Sequence, residues 1–254
     1  RLDAPTRLMD ASALIEALSA EGPRLLGAAT RAGWDAPVPG VDWDVRDLVV
    51  HTGGVQRWAT TVVSGGSDED VKAANSRVGA GPADDQLPDW FAAGHAALVD
   101  TLRAAPDDLD VFTFLPAPSP RQFWARRQAH ETAVHRADAQ TSLGSVDPLP
   151  VEFAQDGIAE MLHGFAARRR HAIPQPGIVL LQPTDAGAAW RVVFGGGSTR
   201  AERAGSDCPA DSVVGGTSSD LYLWLWNRPA ARVEVHGDAE LAGLWRKAVR
   251  VTWQ

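Results

Sequence analysis

The hydrophobic pattern of this 254-residue chain changes near one segment, and that change limits the possible folds more than any other feature. Before the segment Asp147-Pro148-Leu149-Pro150 the apolar residues recur at helical spacing, whereas after it helical segments alternate with short runs typical of strands. The two prolines of this segment interrupt a helix or a central strand. We therefore predict two domains, residues 1–146 and residues 151–254, with a boundary at this segment.

The first domain contains segments with a helical pattern of apolar residues. They are predicted at about residues 7–31, 44–64, 88–105 and 121–142. The first is expected to be interrupted at Gly22-Pro23, and Asp44 has the position of an N-cap for the second. A polar stretch rich in Gly, Ser and Asp connects the second segment to the third. Four helices in a domain of this size predict a four-helix bundle.

The second domain alternates strand-like runs with helical segments. Strands are predicted near residues 178–182, 190–194, 199–203, 213–214 and 232–236, and helices near 152–171, 218–226 and 238–250. A phosphate-binding loop would need a helix after its glycines, but a strand follows Gly195-Gly196-Gly197-Ser198, so this segment predicts a hairpin turn. The fold class is therefore α+β: a four-helix bundle followed by a small domain with a mostly antiparallel sheet.

Composition narrows the possible partners of the chain. A net charge of −8 argues against a dedicated nucleic-acid binder and against a protein of anionic membrane surfaces. No apolar run approaches the ~18 residues of a membrane helix. The first residues lack the apolar core of a signal peptide, so we expect a cytoplasmic protein. Cys208 is the single cysteine, which excludes an internal disulfide and a cysteine-based zinc site.

A possible metal-binding pair lies in the fourth predicted helix. Glu131 and His135 are four residues apart, so a helix places them on one face with their Cβ atoms about 5–6 Å apart. Asp138 follows on the same face and is positioned to accept a hydrogen bond from an imidazole N–H. The alternative for Glu131 and His135 alone is an ordinary acid–histidine pair on the protein surface.

His51 of the second predicted helix strengthens the metal interpretation. It lies with Leu48 and Val55 on the stripe that faces the bundle interior. The alternative for a single histidine there is a core residue bonded to a backbone carbonyl. However, a buried Glu131 needs a cation or a donor to offset its desolvation. One divalent metal ion bound by His51, Glu131 and His135 would satisfy all three side chains.

Five segments resemble one known family. They are the run from Trp43 to His51 (WDVRDLVVH), the helix from His130 to Asp138 (HETAVHRAD), and three C-terminal runs, DSVVGG from Asp211, LYLWLWNR from Leu221 and VEVHGD from Val233. Together they are similar to the mycothiol-dependent maleylpyruvate isomerase family. Its members combine a DinB-like metal-binding bundle with a sterol-carrier-like domain.

The resemblance implies particular cofactors and site residues. It implies that His51, Glu131 and His135 are zinc ligands and that mycothiol or another low-molecular-weight thiol is the cofactor. It also suggests Arg228 of the second domain as a catalytic residue that binds a substrate carboxylate. A salt-bridged arginine at a helix end is the alternative for Arg228.

Other conspicuous residues also have simple structural explanations. Trp58 and Trp124 are candidates for walls of the metal cavity and so for cofactor contacts, although most tryptophans in such a chain belong to the core. His95 is expected in the core or at its rim rather than as a fourth ligand. No sequence pattern gives His163 or His171 a partner.

The resemblance also implies a reaction. Three protein ligands leave zinc an open position, where a thiol loses its proton. The thiolate adds to a cis double bond of a small dicarboxylic substrate, the adduct rotates about the new single bond, and elimination gives the trans isomer. The same groups suit transfer of the thiol to another electrophile. Two alternatives stay open, a zinc-hydroxide hydrolase and a non-catalytic metal-stabilised binding protein.

Overall fold

The computed structural model describes residues 9–167, 175–195, 197–249 and 251. The chain divides into two compact units, one of residues 10–147 and one that combines Met9 with the chain from Pro148 onward. The division falls inside the segment predicted as a boundary. That residues 1–146 and residues 151–254 are two separate domains stays a prediction. His171 lies outside the described residues.

The first unit is a bundle of helices. Its elements are α1 (Ala11–Ala32), α2 (Val45–Val63), α3 (Asp68–Ser76), α4 (Leu87–Ala104) and α5 (Pro120–Thr141). Helix α1 packs against α5 and α4, and α2 packs against α4 and α5, so the four long helices enclose a common core. The predicted helical first part is confirmed. Asp44 caps α2 as predicted, because its side chain accepts a hydrogen bond from the Asp47 amide.

Helix α1 runs without a break through Gly22 and Pro23, so the predicted interruption is wrong. Proline inside a helix costs about 3 kcal/mol, because it removes one backbone hydrogen bond and crowds the preceding turn. Leu18 and Leu25, on either side of the proline, are completely buried. Their burial is worth about 1.5–3 kcal/mol each, which is enough to keep the helix continuous.

The short helix α3 was not predicted, because it has no buried face from which a helical period could be recognised. Ser67 and Asp70 form a capping box at its start. Three acidic residues in its first turn, Asp68, Glu69 and Asp70, also interact favourably with the helix dipole. Helix α3 therefore depends on local polar interactions.

Helix α5 is surrounded by protein, because every residue from Phe123 to Gln140 is buried. Its many polar side chains must therefore find partners inside the unit. Arg136 shows how this is done, since it donates to Glu21 of α1 over 2.8 Å and to Gln140 over 2.6 Å. These contacts tie α5 to α1 and give Arg136 a structural role.

The second unit combines a five-stranded sheet with three helical segments. Its helices are α6 (Val151–Ala159), which continues as a π-helix over Glu160–Ala166, α7 (Ser218–Leu225) and α8 (Ala239–Ala248). Its strands are β1 (Gly177–Pro183), β2 (Ala189–Gly195), β3 (Ser198–Ala204), β4 (Ser212–Gly216) and β5 (Glu234–Gly237). The strand order is β3-β2-β1-β4-β5. Only β1 and β4 pair in parallel, so the predicted, mostly antiparallel sheet is confirmed.

The predicted hairpin joins β2 to β3, with Gly195 paired to Ser198 across the turn. Gly197 has a φ of 73°, a conformation that glycine adopts without steric cost. Trp190, Phe194 and Trp245 are buried among the described residues of this unit. Within the described parts of the chain, no helix is both long enough and apolar enough to cross a bilayer.

Candidate metal centre

Helices α2 and α5 bring together the three residues singled out in the sequence. The Nε2 atom of His51 lies 3.6 Å from Oε1 of Glu131, and Nε2 of His135 lies 3.2 Å from the same oxygen. One ligand atom from each residue lies within 4.8 Å of the other two. The imidazole rings of His51 and His135 are edge to face, with centroids 5.4 Å apart. Among the described residues, no other group of His, Cys, Asp or Glu side chains converges in this way.

This geometry fits a divalent metal ion. Ligand atoms of a tetrahedral zinc ion, with bonds of about 2.1 Å, lie roughly 3.4 Å from one another. The two measured separations from Glu131 are close to that value. Nε2 of His51 is buried and has no hydrogen-bond partner among the described residues, which a metal ion would explain. Two imidazole nitrogens and one carboxylate oxygen are also a donor set suited to zinc.

Asp138 fixes the orientation of His135. One turn further along α5, its Oδ2 atom lies 3.0 Å from Nδ1 of the imidazole. This contact keeps the proton on Nδ1 and directs Nε2 toward Glu131. The arrangement is the one that the spacing of these residues predicts. Trp43 packs against both imidazoles, with ring centroids 4.8 Å from His51 and 6.0 Å from His135.

The protonation states of Glu131 and His135 depend on each other. Burial alone would raise the pKa of Glu131, but the hydrogen bond with His135, the nearby imidazole of His51 and the charge of Arg127 hold this pKa well below its usual range. Burial alone would lower the pKa of His135, but Asp138 and Glu131 outweigh it and raise this pKa to about 9. Without a metal ion, His135 and Glu131 therefore form a buried imidazolium–carboxylate pair at neutral pH.

Two neighbours of this centre were missed at the level of sequence. Arg127 contacts the second oxygen of Glu131, with Nη2 and Oε2 3.1 Å apart. Its spacing of four residues from Glu131 on the same helix was a usable signal. The position of Trp43 could not be predicted in this way, because Trp43 lies before α2 in the segment that connects it to α1. The conformation of that segment brings its ring to the two imidazoles. Arg127 therefore contacts the carboxylate of the candidate metal centre, and Trp43 packs against its two imidazoles.

The other predicted residues of the first unit occupy different surroundings. Trp58 and Trp124 meet edge to face, with centroids 5.1 Å apart, and the buried Trp124 indole donates to the Phe112 carbonyl over 2.9 Å. Their predicted contact with a cofactor stays a prediction. His95 is buried and stacks parallel to Phe91, and it does not belong to the converging group.

Arg228 lies in the second unit, just after α7. The residue before it, Asn227, has a φ of 59° and so ends the helix in the left-handed conformation. One guanidinium nitrogen of Arg228 donates to the Trp226 carbonyl over 2.9 Å. The predicted role of Arg228 with substrate stays a prediction.

Comparisons with known proteins agree along nearly the whole chain. A family model described as the mycothiol maleylpyruvate isomerase N-terminal domain matches residues 15–140, and one described as the MDMPI C-terminal domain matches residues 152–244. The solved mycothiol-dependent maleylpyruvate isomerase is 12% identical, with a TM-score of 0.61 over 93% of this chain and 98% of that chain. A histidine-to-alanine mutant of that enzyme gives a TM-score of 0.63 at the same identity and coverage. A search of curated proteins found no match.

Proposed function

Because the chain belongs to the mycothiol-dependent maleylpyruvate isomerase family, we propose that it is a metal- and thiol-dependent enzyme acting on a small electrophilic carboxylate. The observation that carries the proposal is the convergence of His51, Glu131 and His135, with an unpartnered buried nitrogen on His51. The proposed metal is zinc and the proposed thiol is mycothiol. The proposed reaction is cis–trans isomerisation of a maleylpyruvate-like substrate, or transfer of the thiol to such a substrate.

Each residue of the centre has a distinct task in this proposal. A divalent ion held there would keep a bound thiol deprotonated at neutral pH and so supply a sulfur nucleophile. Glu131 provides the negative charge that favours cation binding in a buried place. Asp138 holds His135 in the tautomer whose Nε2 can coordinate. Arg127 keeps Glu131 ionised and oriented through its second oxygen.

Arg228 is our candidate for substrate binding from the second unit. A guanidinium group can hold a carboxylate through two parallel hydrogen bonds, which no other side chain does as well. Replacement of Arg228 by Lys should therefore raise KM for a carboxylate substrate by roughly tenfold or more, while zinc content stays unchanged. Equal KM values for wild type and Arg228→Lys would remove this residue from the proposed site.

Metal content tests the ligand assignment directly. We expect about one zinc ion per chain after reconstitution at neutral pH, measured by elemental analysis. His51→Ala and His135→Ala should each lose most of that zinc, because each removes one of only three protein ligands. His95→Ala and His163→Ala are matched controls and should keep it. Similar losses in all four variants would contradict the assignment.

Dependence on an added thiol tests the reaction. Cys208 is the only thiol of the chain, and it lies in a loop of the second unit. Turnover of maleylpyruvate should require added mycothiol and should survive Cys208→Ser. Thiol-independent hydrolysis that stops when zinc is removed would instead indicate a zinc-hydroxide hydrolase. Loss of turnover in Cys208→Ser with zinc retained would contradict a diffusible thiol.

A further inference from the structure

One buried amide beside the metal centre is not accounted for by the residues around it. Gln128 of α5 is 1% exposed, and its Oε1 atom accepts no hydrogen bond from the described residues. Leaving a buried acceptor unsatisfied destabilises the folded protein, because the atom has lost its hydrogen bonds to water. Such a cost at a polar position points to a partner that arrives with a ligand.

Helix geometry places Gln128 beside the proposed site. It precedes Glu131 by three residues and His135 by seven, so these residues lie along one stripe of α5. Trp124 lies one turn further back on the same stripe and meets Trp58 of α2. Gln128 is therefore between the metal-binding residues and the tryptophan pair.

Gln140, on the same helix as Gln128, is a buried amide with partners for both of its polar atoms. Its Oε1 atom accepts from Arg136 and its amide nitrogen donates to Asp147. The amide nitrogen of Gln56 donates to Thr132 over 3.1 Å, but its Oε1 atom, like that of Gln128, accepts no hydrogen bond from the described residues. Of these two unsatisfied oxygens, only that of Gln128 belongs to the stripe of α5 that carries Glu131 and His135.

The chemistry of the unsatisfied atom selects the ligand. Oε1 is an acceptor and needs an N–H or O–H group. A carboxylate substrate offers only acceptors at neutral pH, whereas a thiol carrying amide or hydroxyl groups offers donors. Building on the proposed function, we propose that Gln128 is a thiol-specificity residue, whose side-chain carbonyl accepts a hydrogen bond from the polar part of the bound thiol.

The first test compares thiols on zinc-loaded wild type and Gln128→Leu. Titration calorimetry with mycothiol should show about tenfold weaker binding to Gln128→Leu, as expected for one lost hydrogen bond. Ethanethiol has no donor besides its S–H group. Its binding to the cobalt-substituted proteins, followed by the sulfur-to-cobalt absorption band, should be equal in both. Zinc content should also be equal.

The possible outcomes distinguish the proposed role of Gln128 from the proposed function of the protein. If wild type binds mycothiol and Gln128→Leu binds it equally well, the role of Gln128 is wrong while the proposed function stands. A rise only in KM for the substrate, with thiol affinity unchanged, also contradicts the role of Gln128. If zinc-loaded wild type binds neither thiol, the proposed function fails, and the inference fails with it.

A stability measurement excludes a purely structural explanation. Gln128→Leu removes an unsatisfied polar group, so the thiol-free protein should melt at the wild-type temperature or higher. Gln140→Leu is the matched control and should lower the melting temperature by at least about 2–4 °C, since it breaks hydrogen bonds inside the same helix bundle. A comparable fall in Gln128→Leu would overturn the proposal.

Discussion

Both ring nitrogens of His135 make contacts, and the proposed metal centre depends on this single residue. Nδ1 contacts Asp138 over 3.0 Å, while Nε2 contacts Glu131 over 3.2 Å. The first contact selects the tautomer, and the second holds the nitrogen where a metal ion would bind. In the proposed metal centre, Asp138 would therefore act on a bound ion through His135.

Replacement of Asp138 by Asn should weaken zinc binding. The amide keeps the shape of the side chain but removes the charge that polarises the imidazole. Loss of such a partner typically costs 10–100-fold in metal affinity, and we expect about tenfold here, measured by competition with a zinc chelator. Asp185→Asn, in the second unit, should leave the affinity unchanged. Equal affinity in wild type and Asp138→Asn would show that Asp138 does not support the ligand.

The coupled charges predict how pH affects the protein after zinc is removed by a chelator. The pKa of His135 is raised from 6.5 to about 9, so its stabilising contribution is complete below about pH 6.5 and is lost as the pH rises through 9. The pKa of Glu131 is lowered from 4.5, so its contribution is present above that pH and is lost on acidification. Urea unfolding of the stripped protein should give a lower free energy of unfolding at pH 9 than at pH 6.5.

A variant without this imidazole shows whether the pH dependence of stability comes from His135. His135→Gln cannot titrate, so its stability should change less between pH 6.5 and pH 9 than that of wild type. Stability of the stripped wild-type protein that increases over this interval would contradict the raised pKa of His135.

Among the elements, helix α5 is held in the bundle by polar contacts as well as by apolar burial. It is buried from Phe123 to Gln140, yet its sequence is rich in charged and amide side chains. The pair between Arg136 and Glu21 crosses to α1, with both side chains almost inaccessible to solvent. A buried ion pair of this kind is costly to break, because the remaining buried charge is left without an opposite charge.

Glu21→Leu should therefore destabilise the protein by about 3–5 kcal/mol in denaturant unfolding. The double variant Glu21→Leu with Arg136→Met removes both charges and should recover part of that loss. Glu16→Leu is an exposed control, whose ion pair with Arg103 is worth about 0–1 kcal/mol. If Glu21→Leu costs no more than Glu16→Leu, the buried pair does not hold α1 against α5.

At the scale of the whole molecule, the proposed metal ligands and the proposed substrate arginine belong to different units. His51, Glu131 and His135 lie within residues 10–147, and Arg228 lies in the unit that begins at Pro148. Met9 clusters with the second unit, and its amide donates to Asp156 over 3.0 Å. The first unit should therefore begin after Met9.

A truncated chain of residues 10–147 should remain helical and bind about one zinc ion, because the three ligands with Asp138 and Arg127 lie inside it. It should lose turnover, since it lacks Arg228. Circular dichroism, elemental analysis and the thiol-dependent assay measure these properties. An unfolded fragment would refute independent folding of the first unit. Full activity of the fragment would show that turnover does not need Arg228.

Features that depend on the spacing of residues within one element were predictable from the sequence. The spacing of four residues from Glu131 to His135 places both on one helical face, and a further spacing of three brings Asp138 onto it. His51 was recognisable because it shares a stripe with Leu48 and other apolar residues. The change of period near Pro148 separated the helical part from the sheet. These patterns can be recognised in the sequence because the helix and strand periods are properties of the backbone.

Features that depend on contacts between distant segments become visible in the packed structure. Burial on both sides of Pro23 keeps α1 continuous, which its local chemistry argues against. Parallel pairing of β1 with β4, the contact of Trp43 with both imidazoles and the unsatisfied amide of Gln128 have no local signature. Each arises from which surfaces meet when the chain packs, and sequence spacing within one element does not record that.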